Sequence, residues 1–159
     1  MKQLVDAVQT ALAAEHATVY GYGVVGGRID KARQDEARRA HDAHRARRDS
    51  LRREARDLGA EPEAAAAAYG LPFAVPDSAA AVRLAAELED RLAGAYADLV
   101  RASEGARRRE AAGALREAAV RSARWKGSGV AFPGLTERSG AEGATPSGSP
   151  ADGGTSGPL

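Results

Sequence analysis

Cysteine is absent from this chain of 159 residues, and methionine and tryptophan occur once each. Without cysteine there are no disulfides, no thiolate metal ligands and no cysteine nucleophile. Aromatic residues make up only 4% although hydrophobic residues make up 43%, and alanine supplies much of the apolar fraction. The core must therefore be built from closely approaching helices rather than from bulky rings, and we expect an all-α fold.

A charge excess and a long apolar run are also lacking. Lys and Arg together number 23 against 22 for Asp and Glu, so the formal net charge is +1. This balance provides no excess field for attracting nucleic acid or an acidic membrane. No run approaches the roughly 18 apolar residues of a membrane span, and the first residues lack an apolar signal core. We expect a cytoplasmic protein with no nucleic-acid partner and no membrane partner.

Apolar residues recur at helical spacing in four stretches, at about residues 2–26, 31–58, 78–103 and 106–126. Glycines follow each stretch and predict its end. Residues 60–76 contain three prolines, which exclude a continuous helix, together with apolar residues that imply docking. Two short connections and one long crossover between helices 2 and 3 predict a four-helix bundle of two antiparallel hairpins. This is the connectivity of ferritin-like folds.

The chain has room for one domain of ordinary size, which we assign to residues 1–135. The remaining residues, 136–159, are rich in Gly, Ser and Pro. Such a composition buries too little apolar surface to order itself, so we expect a disordered tail there.

Glu15 occupies a position where the helical pattern predicts an apolar residue. Leu12, Glu15 and Val19 follow one another on a single stripe, so the carboxylate faces the core. Burying an unpaired charge is prohibitive, and Glu15 therefore needs a cation, a proton or a metal. Counting across the first turn places Glu15 about level with His41 to His44 of helix 2, to within a helical turn. The candidate partners of Glu15 are His41, His44 and Arg48.

The second hairpin repeats this arrangement. Glu89 lies on a core stripe of helix 3, and Arg121 of helix 4 lies level with it across the turn near Gly105. Our leading interpretation is a buried polar layer in a metal-free core, because a guanidinium neutralises a buried carboxylate well. The members of this layer would be Glu15, His44, Arg48, Glu89 and Arg121.

A metal site is the alternative interpretation. Ferritin-like di-metal sites take one Glu from each of two helices and a Glu-x-x-His pair from each of the other two. Here His41 stands in the Glu place of helix 2, and Val120 stands in the His place of helix 4. At least one ligand is therefore missing. The remaining candidates for binding iron or manganese are Glu15, His41, His44 and Glu89.

Gly21-Tyr22-Gly23-Val24-Val25-Gly26 spells the G-x-G-x-x-G pattern of dinucleotide-binding proteins. That fingerprint must follow a strand and open a helix, whereas this one lies late in a helical stretch. We interpret these glycines as positions of close helix packing or of a weakened helix end.

Several short motifs resemble a ferritin-like domain family of unknown function found in actinobacteria. These motifs are Ala14-Glu15-His16-Ala17, Val19-Tyr20-Gly21-Tyr22-Gly23, His44-Arg45-Ala46-Arg47-Arg48-Asp49, Tyr69-Gly70-Leu71-Pro72-Phe73, Ala119-Val120-Arg121, Arg124-Trp125 and Ala131-Phe132-Pro133-Gly134-Leu135. The resemblance covers about residues 1–135 and implies a four-helix ferritin-like fold without an assigned activity. It supplies no catalytic residues. Against the wider di-iron pattern, Glu15, His44 and Glu89 match, whereas His41 and Val120 depart from it and argue against iron oxidation and storage.

The leading functional hypothesis is a non-catalytic structural or partner-binding module without a cofactor. Its partner would be a second copy, bound through an alanine-rich face, or an unknown protein. The alternative hypothesis is a carboxylate and histidine metal-binding protein or oxidase of a degenerate di-iron type, with iron or manganese as the cofactor.

Overall fold

The computed structural model describes residues 1–127, which fold into four long helices. They are α1 (Lys2–Arg28), α2 (Gln34–Asp57), α3 (Ser78–Ala102) and α4 (Gly105–Lys126), and a single 3-10 turn (Lys31–Arg33) precedes α2. No strand occurs within residues 1–127. The prediction of an all-α four-helix bundle is therefore confirmed. The predicted domain end at residue 135 and the predicted tail at 136–159 lie outside the described residues.

The end of α1 differs slightly from the sequence-based expectation. The helix continues through Gly26 and Gly27 to Arg28. The backbone N–H of Ile29 donates to the carbonyl of Val25, and the Ile29 side chain is buried. Glycine weakens a helix but does not terminate it where the next residues still find partners and a core to pack against. At the start of α3, the side chain of Asp77 caps the helix by accepting a hydrogen bond from the backbone N–H of Ala80 at 2.8 Å.

The helices pack as two hairpins placed side by side. α1 packs against α2 and α3, and α3 also packs against α4. Glu15 contacts Tyr96 and Tyr22 contacts Glu89, so α1 and α3 run in opposite directions. α2 faces α4 through long side chains. Two ion pairs join these helices, Arg47 with Glu117 and Glu54 with Arg107, and their order along the chain shows that α2 and α4 are antiparallel.

Gly21 allows α1 and α3 to approach each other closely. A Cβ atom at this position would lie 2.5 Å from Cδ1 of Leu88, a buried side chain of α3. A Cβ atom at Gly23 or Gly26 would meet nothing within 4 Å. Of the three glycines in the G-x-G-x-x-G pattern, Gly21 is thus the one that close helix packing requires.

The crossover between α2 and α3 lies along the outer side of α1. The side-chain amide of Gln9 bonds to the backbone of Glu61 and Glu63, and Nε2 of His16 donates to the carbonyl of Glu63 at 3.0 Å. Because a carbonyl oxygen only accepts, Nε2 of His16 must carry a proton. Further along, three half-buried crossover side chains pack onto the core; they are Leu71, Phe73 and Val75. The crossover is a docked segment, as its apolar residues predicted.

The core consists of two apolar clusters, one at each end of the bundle. One is built around Leu12, Leu92 and Leu99, and the other around Val25 and Leu84. A small set of polar side chains lies between the two clusters, and it forms the candidate site described below. No helix within residues 1–127 combines the length and apolar character needed to cross a membrane.

Candidate functional site

Two fully buried carboxylates, Glu15 and Glu89, lie in the middle of the bundle. α1 places Glu15 one turn after Leu12, and α3 places Glu89 one turn before Leu92, so each carboxylate continues an apolar stripe into the core. Their burial agrees with the helical pattern in the sequence. Two buried negative charges at one level of a core require compensation from their neighbours.

His44 of α2 lies between the two carboxylates and contacts both. Its Nδ1 is 2.9 Å from Oε2 of Glu15, and its Nε2 is 2.9 Å from Oε1 of Glu89. An ionised carboxylate only accepts hydrogen bonds, so both ring nitrogens donate and the ring is an imidazolium. The small residues Ala37 and Ala40 share the buried side of α2 and let this helix approach closely enough for the ring to reach the centre.

The protonation of His44 follows from its surroundings. Burial by itself lowers the pKa of an imidazole, because it disfavours the charged form. The hydrogen bonds and negative charges of Glu15 and Glu89 outweigh this effect and raise the pKa of His44 from 6.5 to about 9. The ring is therefore positively charged at neutral pH, and its two hydrogen bonds are charge-assisted.

Each carboxylate also accepts a hydrogen bond from a buried tyrosine. The hydroxyl of Tyr22 donates to Oε1 of Glu89 at 2.6 Å, and the hydroxyl of Tyr96 donates to Oε1 of Glu15 at 2.5 Å. Burial, together with the adjacent carboxylate, raises the pKa of both phenols well above 10, so they remain neutral donors. The indole N–H of Trp125 in turn donates to the hydroxyl of Tyr22 at 2.9 Å.

The two halves of the site repeat one sequence pattern. α1 carries Glu15 and Tyr22, and α3 carries Glu89 and Tyr96, in each case seven residues apart. Because α1 and α3 are antiparallel, the tyrosine of each helix meets the glutamate of the other. Tyr22 and Tyr96 were not among the predicted members of the layer, although this repeated spacing is a signal that could have identified them.

The match between the two halves is incomplete at Glu89. Both oxygens of Glu15 are hydrogen-bonded, whereas both hydrogen bonds of Glu89 go to Oε1. Oε2 of Glu89 is buried and has no hydrogen-bond partner within residues 1–127.

The two arginines expected in the layer do not belong to it. Arg121 was predicted to pair with Glu89, but its guanidinium lies 3.9 Å from Glu117 and its side chain is 23% exposed. Arg48 was predicted to face Glu15, but it pairs with its neighbour Asp49. A long arginine side chain can start near the core and still reach water, where its charge is cheaper. The imidazolium of His44 supplies the buried positive charge instead.

The other metal-ligand candidates are also apart from the site. The side chain of His41 is 31% exposed, and its Nδ1 lies 3.8 Å from the Asp42 carboxylate. Glu117 and Val120, which hold the places of a Glu-x-x-His pair on α4, are both nearly half exposed. In the part of the chain that the structure describes, no three His, Asp or Glu side chains converge as metal ligands would.

Residues 7–137 match a protein family described as a domain of unknown function, DUF4439. The chain belongs to this family. The DUF4439 chain is also similar to the crystal structure of a conserved hypothetical protein, rv2844, from Mycobacterium tuberculosis, with 37% sequence identity and a TM-score of 0.77. The similarity covers 79% of this chain and 96% of that chain. None of the functionally curated proteins matches it.

Proposed function

We propose that this protein is a non-catalytic helical module with a ferritin-like arrangement, in which a protonated histidine holds the two core carboxylates together. The long crossover between α2 and α3 and the antiparallel pairing of α1 with α3 support this arrangement. The fold alone carries no function, so the proposal depends on the chemistry of the buried layer.

The observation that carries the proposal is the double engagement of His44. A histidine binds a metal through the lone pair of a deprotonated ring nitrogen. Here both ring nitrogens donate to carboxylates, Glu15 on one side of the ring and Glu89 on the other. The three groups therefore diverge around the ring instead of converging on one point. The residues present do not fit the ferritin-like di-metal set.

The closed surroundings of the layer also argue against catalysis. The side chains of Glu15, His44 and Glu89 are at most 2% exposed. The tyrosine hydroxyls occupy further hydrogen-bonding positions on the carboxylates. A general acid or base must come within hydrogen-bond distance of a substrate, and this layer offers no such approach.

A structural role follows from the position of the layer between two apolar clusters. His44 ties α2 to α1 and α3, and the tyrosines tie α1 to α3. A shift of one helix by a turn would bury charged groups without partners, which is strongly unfavourable. The layer therefore specifies one register of the helices, and the rigid bundle can present its outer surfaces to a partner.

A degenerate di-iron type of metal protein is the second candidate, and one observation favours it. Oε2 of Glu89 is buried without a partner, so it could donate to an iron or manganese ion. Binding would require His44 to lose a proton and to release one carboxylate.

Metal analysis of protein purified without chelators tests both candidates. We expect iron, manganese and zinc well below one ion per chain, and little thermal stabilisation when these metals are added. A tightly bound ion would instead raise the stability by about 2.7 kcal/mol at a hundredfold excess over its Kd. Two ions per chain that are lost in the Glu15→Ala or His44→Ala variant would overturn the proposal and establish the metal protein.

A further inference from the structure

Positive charge is concentrated on α4. This helix carries seven basic and only two acidic residues, whereas α3, which is of similar length, carries three basic and four acidic residues. The formal net charge of +1 for the whole chain conceals this asymmetry. A local excess of one sign can attract an oppositely charged partner even when the protein as a whole is nearly neutral.

The two acidic residues of α4 lie on the side that faces α2. Glu117 pairs with Arg47 of α2, and Glu110 lines the cleft between the two helices. The solvent-facing side of α4 lies about a quarter turn around the helix from these two acidic residues and presents the exposed side chains of Arg109 and Arg116; exposed Arg124, seven residues after Glu117, lies at the border between the two sides. None of these three arginines forms an ion pair with a carboxylate of residues 1–127. We refer to these three arginines, together with Val120, as the outer face of α4.

Local structure does not account for Arg109. It belongs to a run of three arginines in the first turns of α4, where the positive end of the helix dipole disfavours cations. For Arg107, an ion pair with Glu54 compensates this unfavourable interaction with the helix dipole. Arg108 donates a hydrogen bond to the carbonyl of Val100. Arg109 has no such contact in the described chain. A residue that breaks a local rule without a compensating contact points to a role outside the fold.

The spacing of the outer face suits a helix as its partner. Arg109, Arg116 and Arg124 are seven and eight residues apart, which is about 10 and 12 Å along the helix axis, or two turns each. Acidic residues at the same spacing on a second helix would lie opposite them. Val120, which is 44% exposed, lies between Arg116 and Arg124 and offers an apolar contact to such a helix.

We propose that the outer face of α4 binds an acidic helix of a partner protein. This deepens the proposed partner-binding function and rests on it. A second copy of this chain would bring the same arginines together across a two-fold axis, so like charges disfavour that occupant. A single nucleic-acid strand is also disfavoured, because the face has no aromatic side chain on which a base could stack.

Fluorescence anisotropy with a synthetic probe tests the proposal. The probe is a labelled helical peptide with glutamates seven and eight residues apart and a leucine between the second and third. Its control carries glutamine in place of each glutamate. We expect the full chain to bind the glutamate peptide at moderate salt, and to bind the glutamine peptide at least tenfold more weakly. The Kd should rise with salt concentration, because screening weakens exposed charges.

Matched variants locate the binding site. The triple variant R109Q/R116Q/R124Q should raise the Kd for the glutamate peptide at least tenfold. The control triple variant R83Q/R91Q/R101Q removes the same charge from exposed positions of α3 and should leave the Kd within about twofold, since it leaves the arginines of the outer face in place. Circular dichroism melting curves show whether both variants remain folded.

Three results would overturn the proposal. They are equal weakening by both triple variants, no binding of the glutamate peptide, and tighter binding of a single-stranded oligonucleotide or of anionic lipid vesicles than of the peptide. The metal content of the protein distinguishes a failure of the acidic-helix proposal from a failure of the proposed function, because the arginines of α4 lie outside the buried layer. A metal-free protein that does not bind the peptide would refute only the proposal that the outer face binds an acidic helix.

Discussion

The buried imidazolium makes a specific prediction about pH. In the unfolded chain His44 has its ordinary pKa of 6.5, whereas the folded protein raises that pKa to about 9. A histidine with a raised pKa binds its proton more tightly in the folded state, so its stabilising contribution is complete below pH 6.5. The contribution is then lost as the pH rises from 6.5 to 9. In this window the unfolded chain has already released the proton, whereas the folded protein still binds it, so each rise in pH favours the unfolded state.

The size of the effect follows from the shift of the pKa. Each unit corresponds to about 1.4 kcal/mol, so the rise from 6.5 to about 9 corresponds to roughly 3 kcal/mol of unfolding free energy. For a chain of this size such a loss would lower Tm by roughly 10 °C. Tyr22 and Tyr96 do not contribute in this window, because their pKa values are raised by burial and they affect stability only above pH 10, where the unfolded phenols ionise.

Urea unfolding at intervals from pH 6 to 9.5 measures this dependence. The His44→Gln variant provides the control, because it retains the other histidines and the acidic surface groups but lacks this titration. We expect the wild type to lose stability across the window and the variant, although less stable at pH 6, to show little slope. A flat wild-type curve, or an equal slope in both proteins, would refute the charged state of His44 and with it the reasoning for a metal-free layer.

The burial of Glu15 and Glu89 was predictable because both lie near the middle of long helices. There the 3.6-residue repeat is uninterrupted, and a charged residue in an apolar stripe is easy to recognise. His44 was among three candidates for contacting Glu15, since counting from a turn gives the level of a residue along the axis. The same count cannot distinguish His44 from His41, because the choice depends on the angle around α2.

The expected arginine partners were wrong for a different physical reason. A stripe describes where a side chain starts, and a side chain as long as arginine can end several ångströms away. Arg121 starts near the core but reaches Glu117 and solvent. A tyrosine side chain has only two rotatable torsions and a rigid ring. The positions of the Tyr22 and Tyr96 hydroxyls are therefore set closely by the helices that carry them. Rigid side chains on a core stripe are thus better predictors of buried contacts than long flexible charged ones.

Two further pairs of substitutions test the packing. Gly21→Ala should lower the unfolding free energy by roughly 1 to 2 kcal/mol, because the new methyl group displaces buried Leu88, whereas Gly23→Ala should raise it by up to about 1 kcal/mol through helix propensity alone. Chemical denaturation distinguishes these opposite signs. Tyr22→Phe should cost more than Tyr96→Phe, because the hydroxyl of Tyr22 both donates to a buried carboxylate and accepts from a buried indole, whereas that of Tyr96 only donates. Each buried group left without a partner costs about 1 to 3 kcal/mol, so the difference should be at least about 1 kcal/mol. Equal losses would show that the indole N–H finds another acceptor, and a larger loss for Tyr96→Phe would contradict the hydrogen-bond assignment of the layer.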